Sequence, residues 1–375
     1  MLEIRRIEPE KKALRRFTRF QIDLYAGNPY YVPPLISDDV NTLLPGVNPA
    51  FDFCEAAYFM AYRDGRPVGR IAGIINHQIN KREKEKVARF GFIDFEDDRE
   101  VSALLMKTVE DWARERGMTH LIGPLGFTDL DHEGMLVDGF DELSTMATIY
   151  NYHYYPEHME ALGYKKESDW VEFLMEVPDE IPERYNRIAD IVKDKFDLRV
   201  LKYTSRRRAK KEYGHAIFHL VNEAYKNLYQ YSMLTERQIE YYIDLYLGLL
   251  NLDLLTLIVD RDDRLVGVGI CMPSMSKALQ KSKGKLFPTG WLPLLKGLKG
   301  KNNRVDLLLV AVHPDYQNKG VNALLFQDLL PHFMRNGYRW AESNPEMETN
   351  SKVQSQWEYF NTRQHRRRRS YTKKI

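Results

Sequence analysis

Residues 304–330 read RVDLLLVAVHPDYQNKGVNALLFQDLL, and this stretch decides the fold. The run Arg304–Val312 is apolar, as in a buried strand, and an apolar pattern typical of a helix begins at Ala323. Between them lies a turn that contains Lys319 and Gly320. A strand, a glycine-containing turn and a helix start present free backbone N–H groups and the positive end of a helix dipole. The stretch therefore predicts a binding site for a pyrophosphate.

The chain repeats one pattern of elements. A strand, a tight polar turn and a strand at 58–72 resemble a second hairpin at 257–270, and Gly69 and Gly267 are 198 positions apart (267 − 69). In both halves the order is strand, helix, strand, strand, helix, strand, helix. This order predicts an α/β protein with two tandem domains, each a mixed twisted sheet flanked by helices.

The boundary between the halves is expected near Val177–Pro182, where two prolines and acidic residues follow the last strand of the first half. We therefore predict domains at 1–178 and 179–375. The second half has an insertion near 274–303 that is rich in lysine.

Composition excludes several classes of protein. With 43% apolar and 29% charged residues the chain is neither disordered nor fibrous, and no apolar run is long enough for a spanning helix. The net charge of +2 argues against nucleic acid as the partner of the whole surface. Cys54 and Cys271 have no second ligand at metal spacing, so no metal site is expected. The segment Met1–Arg6 lacks the pattern of a signal peptide, which favours a cytoplasmic location.

The turn resembles the phosphate-binding turn of the GNAT superfamily of acyl-CoA-dependent N-acyltransferases. That turn reads Q/R-x-x-G-x-G/A after a strand ending in V-x-P, and Gln317, Gly320 and Val312-His313-Pro314 match it. Asn322 stands where the family has a small residue. The resemblance implies that acetyl-CoA or another acyl-CoA is the cofactor. The residues that it assigns to this ligand are Val310, Val312, Gln317, Asn318, Lys319, Gly320, Val321, Asn322 and Asn350.

Acyl transfer to an amine needs an unprotonated amine, an oxyanion donor and an acid for the leaving thiolate. The resemblance implies that a tyrosine on the helix beginning at Asn350 is the acid; Trp357 occupies the usual position, and Tyr359 is the nearest phenol. Asp306 and Glu342 on adjacent strands are the candidate bases. For Tyr359 the alternative is packing beside Trp357, and Glu342 could equally be a carboxylate at a strand end.

The first half resembles the same fold without the chemistry. Its equivalent turn, Phe95–Ser102, has four carboxylates and no glycine, so it should repel a pyrophosphate. The segment 123–155 is long, polar and aromatic, and lies where family members build acceptor contacts. It begins like a calcium loop at Asp129, but position twelve is Phe140, which excludes calcium. The candidate acceptor-binding residues are Phe127, Asp129, Asp131 and Glu133, with a packed structural loop as the alternative.

Two basic segments allow several interpretations. The run Arg363–Arg369 is interpreted first as a solvated face leading into a terminal strand at Ser370–Ile375, second as a contact with CoA or an anionic substrate, and third as an RNA site. In the insertion, lysines alternate with apolar residues, and Pro288 and Pro293 interrupt any long helix. A cover over the cleft between strands is preferred there, with a lipid or acyl-chain contact as the alternative.

The leading function is transfer of an acyl group from acyl-CoA to a small-molecule or peptide amine. Asn322 and Trp357 favour a second hypothesis, a non-catalytic binding or scaffold protein with this fold. Aminoacyl or long-chain acyl transfer is a third, because tandem versions of the fold use such donors. The sequence identifies neither the acceptor nor the oligomeric state.

Overall fold

The computed structural model describes residues 1–248, 250–299 and 302–375. They form two compact units: unit 1 contains 1–171, 276–294 and 365–375, and unit 2 contains 172–275 and 295–364. Two segments that the sequence assigns to the second domain therefore pack in unit 1. Insertion residues 300 and 301 lie outside the described part of the chain.

The elements before Pro182 contain the predicted order of strands and helices, but with a further strand at Val87–Phe95 and short additional helices and strands. They are β1 (Leu2–Ile7), α1 (Lys11–Leu24), α2 (Ile36–Leu43), β2 (Cys54–Arg63), β3 (Arg66–Asn76), α3 (His77–Glu83), β4 (Val87–Phe95), α4 (Arg99–Glu115), β5 (His120–Gly123), β6 (Met135–Asp138), α5 (Tyr154–Ala161) and β7 (Lys165–Glu176). A short 3-10 helix also forms at Pro49–Asp52.

The elements after Pro182 resemble those before it, with an additional helix at their start, Glu183–Phe196, and two helices in the insertion where the first half has one. They are α6 (Glu183–Phe196), β8 (Arg199–Leu201), α7 (Arg206–Tyr225), α8 (Glu236–Tyr242), β9 (Leu255–Val259), β10 (Leu265–Pro273), α9 (Ser276–Ser282), α10 (Trp291–Leu298), β11 (Arg304–Val312), α11 (Val321–Arg335), β12 (Trp340–Ser343), β13 (Glu346–Met347), α12 (Ser351–Gln354) and β14 (Thr362–Lys374). The predicted strand Arg304–Val312 is confirmed as β11.

Each unit has a mixed sheet. In unit 1 the strands lie in the order β1-β2-β3-β4-β5-β14-β7, and β4 and β5 are parallel. In unit 2 the order is β7-β12-β11-β10-β9-β8, and β11 and β12 are parallel. The predicted α/β fold with mixed sheets flanked by helices is confirmed.

Two glycines of β3, Gly69 and Gly73, let a helix pack directly on the sheet. A Cβ atom at Gly69 would lie 2.7 Å from Cδ1 of Leu105, and one at Gly73 would lie 2.7 Å from Cε3 of Trp112. Both partners are on α4, whose apolar face is buried in the main core of unit 1. The glycines therefore set how closely α4 approaches β3.

The arginine run is buried or half-buried from Arg366 to Arg369, which corrects the prediction of a solvated face for this part, whereas Arg363 is exposed. Arg366 and Arg368 are both 0% exposed and donate to the carbonyl oxygens of Leu143 and Ile149. Arg367 and Arg369 donate to the carboxylate of Asp169 over 2.8–3.1 Å. The run is thus the interior of β14, which begins at Thr362 rather than at Ser370.

The part of the insertion in unit 1 is anchored at several points. The Gln280 amide donates to the carbonyl oxygens of Pro29 (2.8 Å) and Tyr31 (2.9 Å), and Ile36 N–H donates to Gly284 O (2.9 Å). The segment forms two short helices, as the prolines predict. The described contacts are with unit 1, so the preferred interpretation as a cover over the strand cleft has no support in them. None of the helices in the described residues is long and apolar enough to span a bilayer.

Asp169 is the central acceptor for β14 arginines, and replacing it should destabilise unit 1. Its side chain is 1% exposed. Burial acts to raise its pKa, but hydrogen bonds from Arg369, Lys166 and Arg367 outweigh burial and lower the pKa. Because removing one member of a buried ion pair leaves uncompensated charge, Asp169→Asn should lower the free energy of unfolding by about 3 kcal/mol in chemical denaturation.

The matched control is Asp111→Asn, because Asp111 pairs with Lys107 and Arg114 on the surface and should cost less than about 1 kcal/mol. The stabilisation by Asp169 is present above its ordinary pKa and disappears as pH falls through the lowered value. Asp169→Asn should therefore lack this acid-dependent loss. Equal effects of the two substitutions would contradict the account.

Candidate functional site

β11 parts from β12 halfway along its length. The two strands pair in parallel only from Arg304↔Trp340 to Leu307↔Ser343, although β11 continues to Val312. On its other edge β11 shifts register against β10, because Leu307 and Leu309 oppose consecutive residues and Leu308 is the extra one. A bulge of this kind bends the strand and re-aims the residues that follow. Because β12 ends at Ser343, the rest of β11 has no partner strand on that edge among the described residues, and we call this unpaired edge the gap.

The bulge turns the backbone groups of Val310 and Val312 toward this gap. His313 N–H donates to Val266 O over 2.9 Å, so residues 309, 311 and 313 bond to β10 and the residues between them face the other way. Two side chains already bind carbonyl oxygens on that side. Tyr225 Oη donates to Val310 O at 2.7 Å, and Gln317 Nε2 donates to Val312 O at 2.9 Å.

The predicted phosphate turn joins the end of β11 to the N-terminus of α11. Asn318 has φ +60° and Gly320 has φ +82°, both left-handed. Gly320 is the N-cap of this 15-residue helix and supplies no side-chain cap. The first N–H groups of a helix have no intrahelical acceptor, so those of Val321 and Asn322 are available to an anion. The turn therefore fits a pyrophosphate group.

Gly320 is also required by packing. A Cβ atom there would lie 3.1 Å from Cγ2 of both Ile188 and Val192 on α6, and the positive φ is strained for any other residue. Packing and backbone conformation therefore favour glycine at position 320, in addition to the close approach that a ligand would need.

The other residues assigned to acyl-CoA lie around the turn with local partners. The Lys319 ammonium is 5.2 Å from the ring centroid of Phe196, a distance typical of a cation–π contact, and the Lys319 side chain is exposed. Asn322 Nδ2 lies 3.4 Å from Gln356 Oε1. Asn350 caps α12 by accepting from Val353 N–H. Asn350 therefore has a structural role at the start of α12.

The candidate bases lie on the paired part of the strands, before the bulge. Asp306 and Glu342 oppose each other in the β11–β12 register and are 1% and 2% exposed. Glu342 accepts from Arg304 Nη1 at 3.0 Å. Their depth makes direct contact with an acceptor amine difficult.

Tyr359 packs on α6. Its ring lies 5.3 Å from that of Tyr185, and the guanidinium carbon of Arg184 lies 4.7 Å from its centroid. These contacts match the packing alternative for Tyr359.

Glu346 is a candidate base that the sequence analysis missed. It follows β12 on the short strand β13 and is half-buried. Both carboxylate oxygens lie 3.2 Å from Nε1 of Trp357. Burial raises the pKa of Glu346 to about 8, against the opposing effect of the hydrogen bond from Trp357. The only signal in the sequence is its place in a polar segment directly after a buried strand.

Tyr225 is a second residue that was missed. Burial raises its pKa to about 12, and the charge of Glu346 also acts to raise it, against an opposing effect of the Val310 backbone that is smaller than that of burial. Tyr225 and Glu346 are thus electrostatically coupled near the gap-facing edge of β11. The sequence marked Tyr225 only as part of a helical pattern.

The equivalent helix start in unit 1 is already capped by a carboxylate. Asp98 is the N-cap of α4 and accepts from the N–H groups of Glu100 (2.9 Å) and Val101 (3.4 Å). Asp98 also pairs with Arg63 at 2.5 Å. Its carboxylate therefore takes up two of the N–H groups that an anion would need at this helix start.

The candidate acceptor residues of unit 1 do not form an open site. Phe127 is 0% exposed and packs against Phe51 at 5.0 Å, so it cannot reach a solute in this structure. Asp131 accepts from the N–H groups of Phe127 (2.8 Å) and Thr128 (3.0 Å) and closes the turn. These contacts are those of the packed-loop alternative. Asp129 and Glu133 in the same loop are half-buried.

Comparison with known proteins agrees with this geometry. Residues 215–351 match the model of the acetyltransferase (GNAT) family. The chain is 29% identical over 289 residues to "Bacterial ceramide synthase" of Caulobacter vibrioides, covering 77% of this chain and 74% of that protein. It is 27% identical over 371 residues to "Protein YghO" of Escherichia coli, covering 97% of this chain and 94% of that one.

Solved structures show the same fold. A tandem GNAT protein from the clavulanic acid biosynthesis pathway aligns with a TM-score of 0.57 at 14% identity and covers 100% of this chain and 98% of its own. A GCN5-related N-acetyltransferase from Sphaerobacter thermophilus aligns with a TM-score of 0.51 at 13% identity, over 100% of this chain and 95% of its own. At these identities the likeness concerns the fold alone.

The charge at the start of α11 should control binding of coenzyme A. Lys319→Glu changes the local charge by two units at an exposed position. In a water-like medium this change should weaken the free energy of binding an anion by about 2 kcal/mol. Calorimetric titration with coenzyme A should therefore give a Kd about 30-fold higher. Lys12→Glu, an equal change on the exposed face of α1, is the control and should leave the Kd unchanged. If Lys319→Glu bound coenzyme A as tightly as the native protein, the phosphate site would have to lie elsewhere.

Proposed function

We propose that this chain, an acyltransferase of the GNAT superfamily, transfers an acyl group from acyl-CoA to the nitrogen of an amine acceptor, using a site in unit 2. The observation that carries the proposal is the N-terminus of α11, without a side-chain cap, at the end of a strand whose edge has no partner strand after Leu307. The site then needs a base for the amine and an acid for the thiolate.

The donor would lie along β11. Its pyrophosphate would accept from the N–H groups of Val321 and Asn322, and its amide-bearing arm would run past Val310 and Val312, whose backbone polar groups face the gap. The N–H groups on that edge suit the carbonyl oxygen of a thioester, which gains negative charge in the transition state. Asn322 keeps its backbone N–H available although its side chain replaces a small residue.

Glu346 is the base in this proposal. A primary amine is protonated near neutral pH, and a carboxylate with a pKa of about 8 can take its proton efficiently. The neutral nitrogen then forms the C–N bond as the C–S bond breaks, and its surplus proton passes to the group that has protonated the thiolate. Tyr225, which lies at the same edge, is the candidate proton donor to the leaving thiolate. We retain Asp306 and Glu342 only as groups acting through water, because both are buried.

We infer the chemical class of the acceptor from a similar protein. One similar protein is named bacterial ceramide synthase, and a ceramide is the amide of a long-chain amino alcohol. We extend that chemistry to this chain and propose a long-chain primary amine as acceptor. Calorimetry with acetyl-CoA and a long-chain acyl-CoA separates the donors, and no heat with either would contradict the proposed function.

Glu346→Gln should separate catalysis from structure. The substitution keeps an acceptor for Trp357 but removes the base, so kcat/KM should fall about 100-fold when release of the CoA thiol is followed with a long-chain amine. In the native protein, kcat/KM should rise as pH approaches 8, because the carboxylate forms through that range. The variant should lack this rise.

The stability of the variant provides the independent readout. The pKa of the Glu346 carboxyl group is raised in the folded state. The folded protein therefore becomes less stable as pH rises from the ordinary pKa of a glutamate through about 8. Glu346→Gln should therefore unfold at an equal or higher denaturant concentration than the native protein at pH 8. Glu348→Gln, two residues on, is the control and should keep activity. A variant of Glu346 that is fully active would contradict the assignment.

A further inference from the structure

The insertion carries an exposed apolar tip in unit 1, at residues 285–292. Its four large side chains are strongly exposed: Phe287 74%, Leu292 44%, Trp291 39% and Leu286 37%. Large apolar side chains grouped in one short segment mark an interaction surface more often than scattered ones do. We propose that this tip binds the surface of an anionic phospholipid bilayer.

The tip is held in a defined conformation. Trp291 N–H donates to Leu286 O at 2.9 Å, and its indole Nε1 donates to Pro288 O at 3.0 Å. A Cβ atom at Gly290 would lie 1.8 Å from Lys285 O, so the loop closes tightly on itself. The apolar side chains are thus presented on a preformed loop, and ordering them costs little on binding.

The base of the tip is fixed to unit 1 by α9. Gln280 donates to two backbone carbonyls of the segment after α1, and Ser276 Oγ donates to Ser144 O at 2.8 Å. A docked bilayer would therefore be coupled to the body of unit 1 through these bonds.

The charge around the tip selects the kind of surface. Lys277, Lys281, Lys283 and Lys285 are all exposed, and 274–303 contains no Asp or Glu. Among the described residues, no ion pair to these four lysines is seen. Lysines beside exposed Trp, Phe and Leu are the composition of segments that lie at the headgroup level of an anionic membrane.

A second copy of the chain is a poorer occupant. A two-fold contact would bring the same patch of each copy together, and with it two sets of lysines without acidic partners. Like charges in such a contact oppose association, whereas anionic headgroups attract them. Charge complementarity therefore favours the bilayer. This proposal is independent of the acyltransferase chemistry.

The test is co-sedimentation of the full chain with vesicles. Vesicles of phosphatidylcholine mixed with phosphatidylglycerol should bind the protein and release it as salt is raised, and vesicles of phosphatidylcholine alone should bind less. The double variant Phe287→Ser/Trp291→Ser should lower the partition coefficient at least about tenfold. Lys281→Gln, Lys283→Gln and Lys285→Gln should each lower it about fivefold.

Controls make the test specific. Leu245→Ser/Tyr246→Ser removes exposed apolar side chains of unit 2 (40% and 41% exposed) and should leave partition unchanged. Trp291→Phe should keep binding but remove most of the blue shift of fluorescence on adding vesicles, since Trp112, Trp170 and Trp357 are buried and Trp340 is half-buried in β12 of unit 2.

Three outcomes would overturn the proposal. These are failure to bind the anionic vesicles, equal binding by the Phe287→Ser/Trp291→Ser variant, and a dimer in light scattering that this variant abolishes while vesicles bind neither protein. The last result would assign the tip to self-association.

Discussion

The end of pairing between β11 and β12 after Leu307 is the constraint on which the site depends. If the strands stayed paired, the backbone groups of Val310 and Val312 would bind a neighbouring strand. The bulge at Leu308 reverses which residues of β11 face that edge. The unpaired backbone groups of Val310 and Val312 thus follow from the end of β12 and one extra residue in β11, and Glu346 and Tyr225 lie near the same edge.

The two halves differ most at the start of one helix. In unit 1, Asp98 satisfies the first N–H groups of α4 with its own carboxylate. In unit 2, Gly320 leaves the corresponding groups of α11 without a side-chain cap. Glycine at the N-cap costs only a few tenths of a kcal/mol relative to a capping side chain, so α11 gives up little stability and keeps its first N–H groups free of a side-chain cap. This contrast explains why one fold repeated twice supplies one candidate donor site.

Much of the fold could be predicted from the sequence, because strands and helices follow local periodicity. The limits of β11 agree with the predicted ones. The burial of the arginine run could not be predicted, since Arg367 and its partner Asp169 are 198 residues apart and charge runs usually face solvent. Likewise, Glu346 becomes a base only through the tertiary burial that raises its pKa. The phosphate turn could be predicted because its residues are consecutive in the sequence. The catalytic groups could not, because they depend on contacts between distant elements.

The central claim is that acyl-CoA binds at β11 and the start of α11. Amide hydrogen exchange of the full chain, followed by mass spectrometry with and without coenzyme A, tests it most directly, because each peptide reports its own protection. The account predicts that coenzyme A slows exchange in peptides covering 308–324 and leaves exchange unchanged in peptides covering 95–102. Unchanged exchange at 308–324, or protection confined to 95–102, would contradict it.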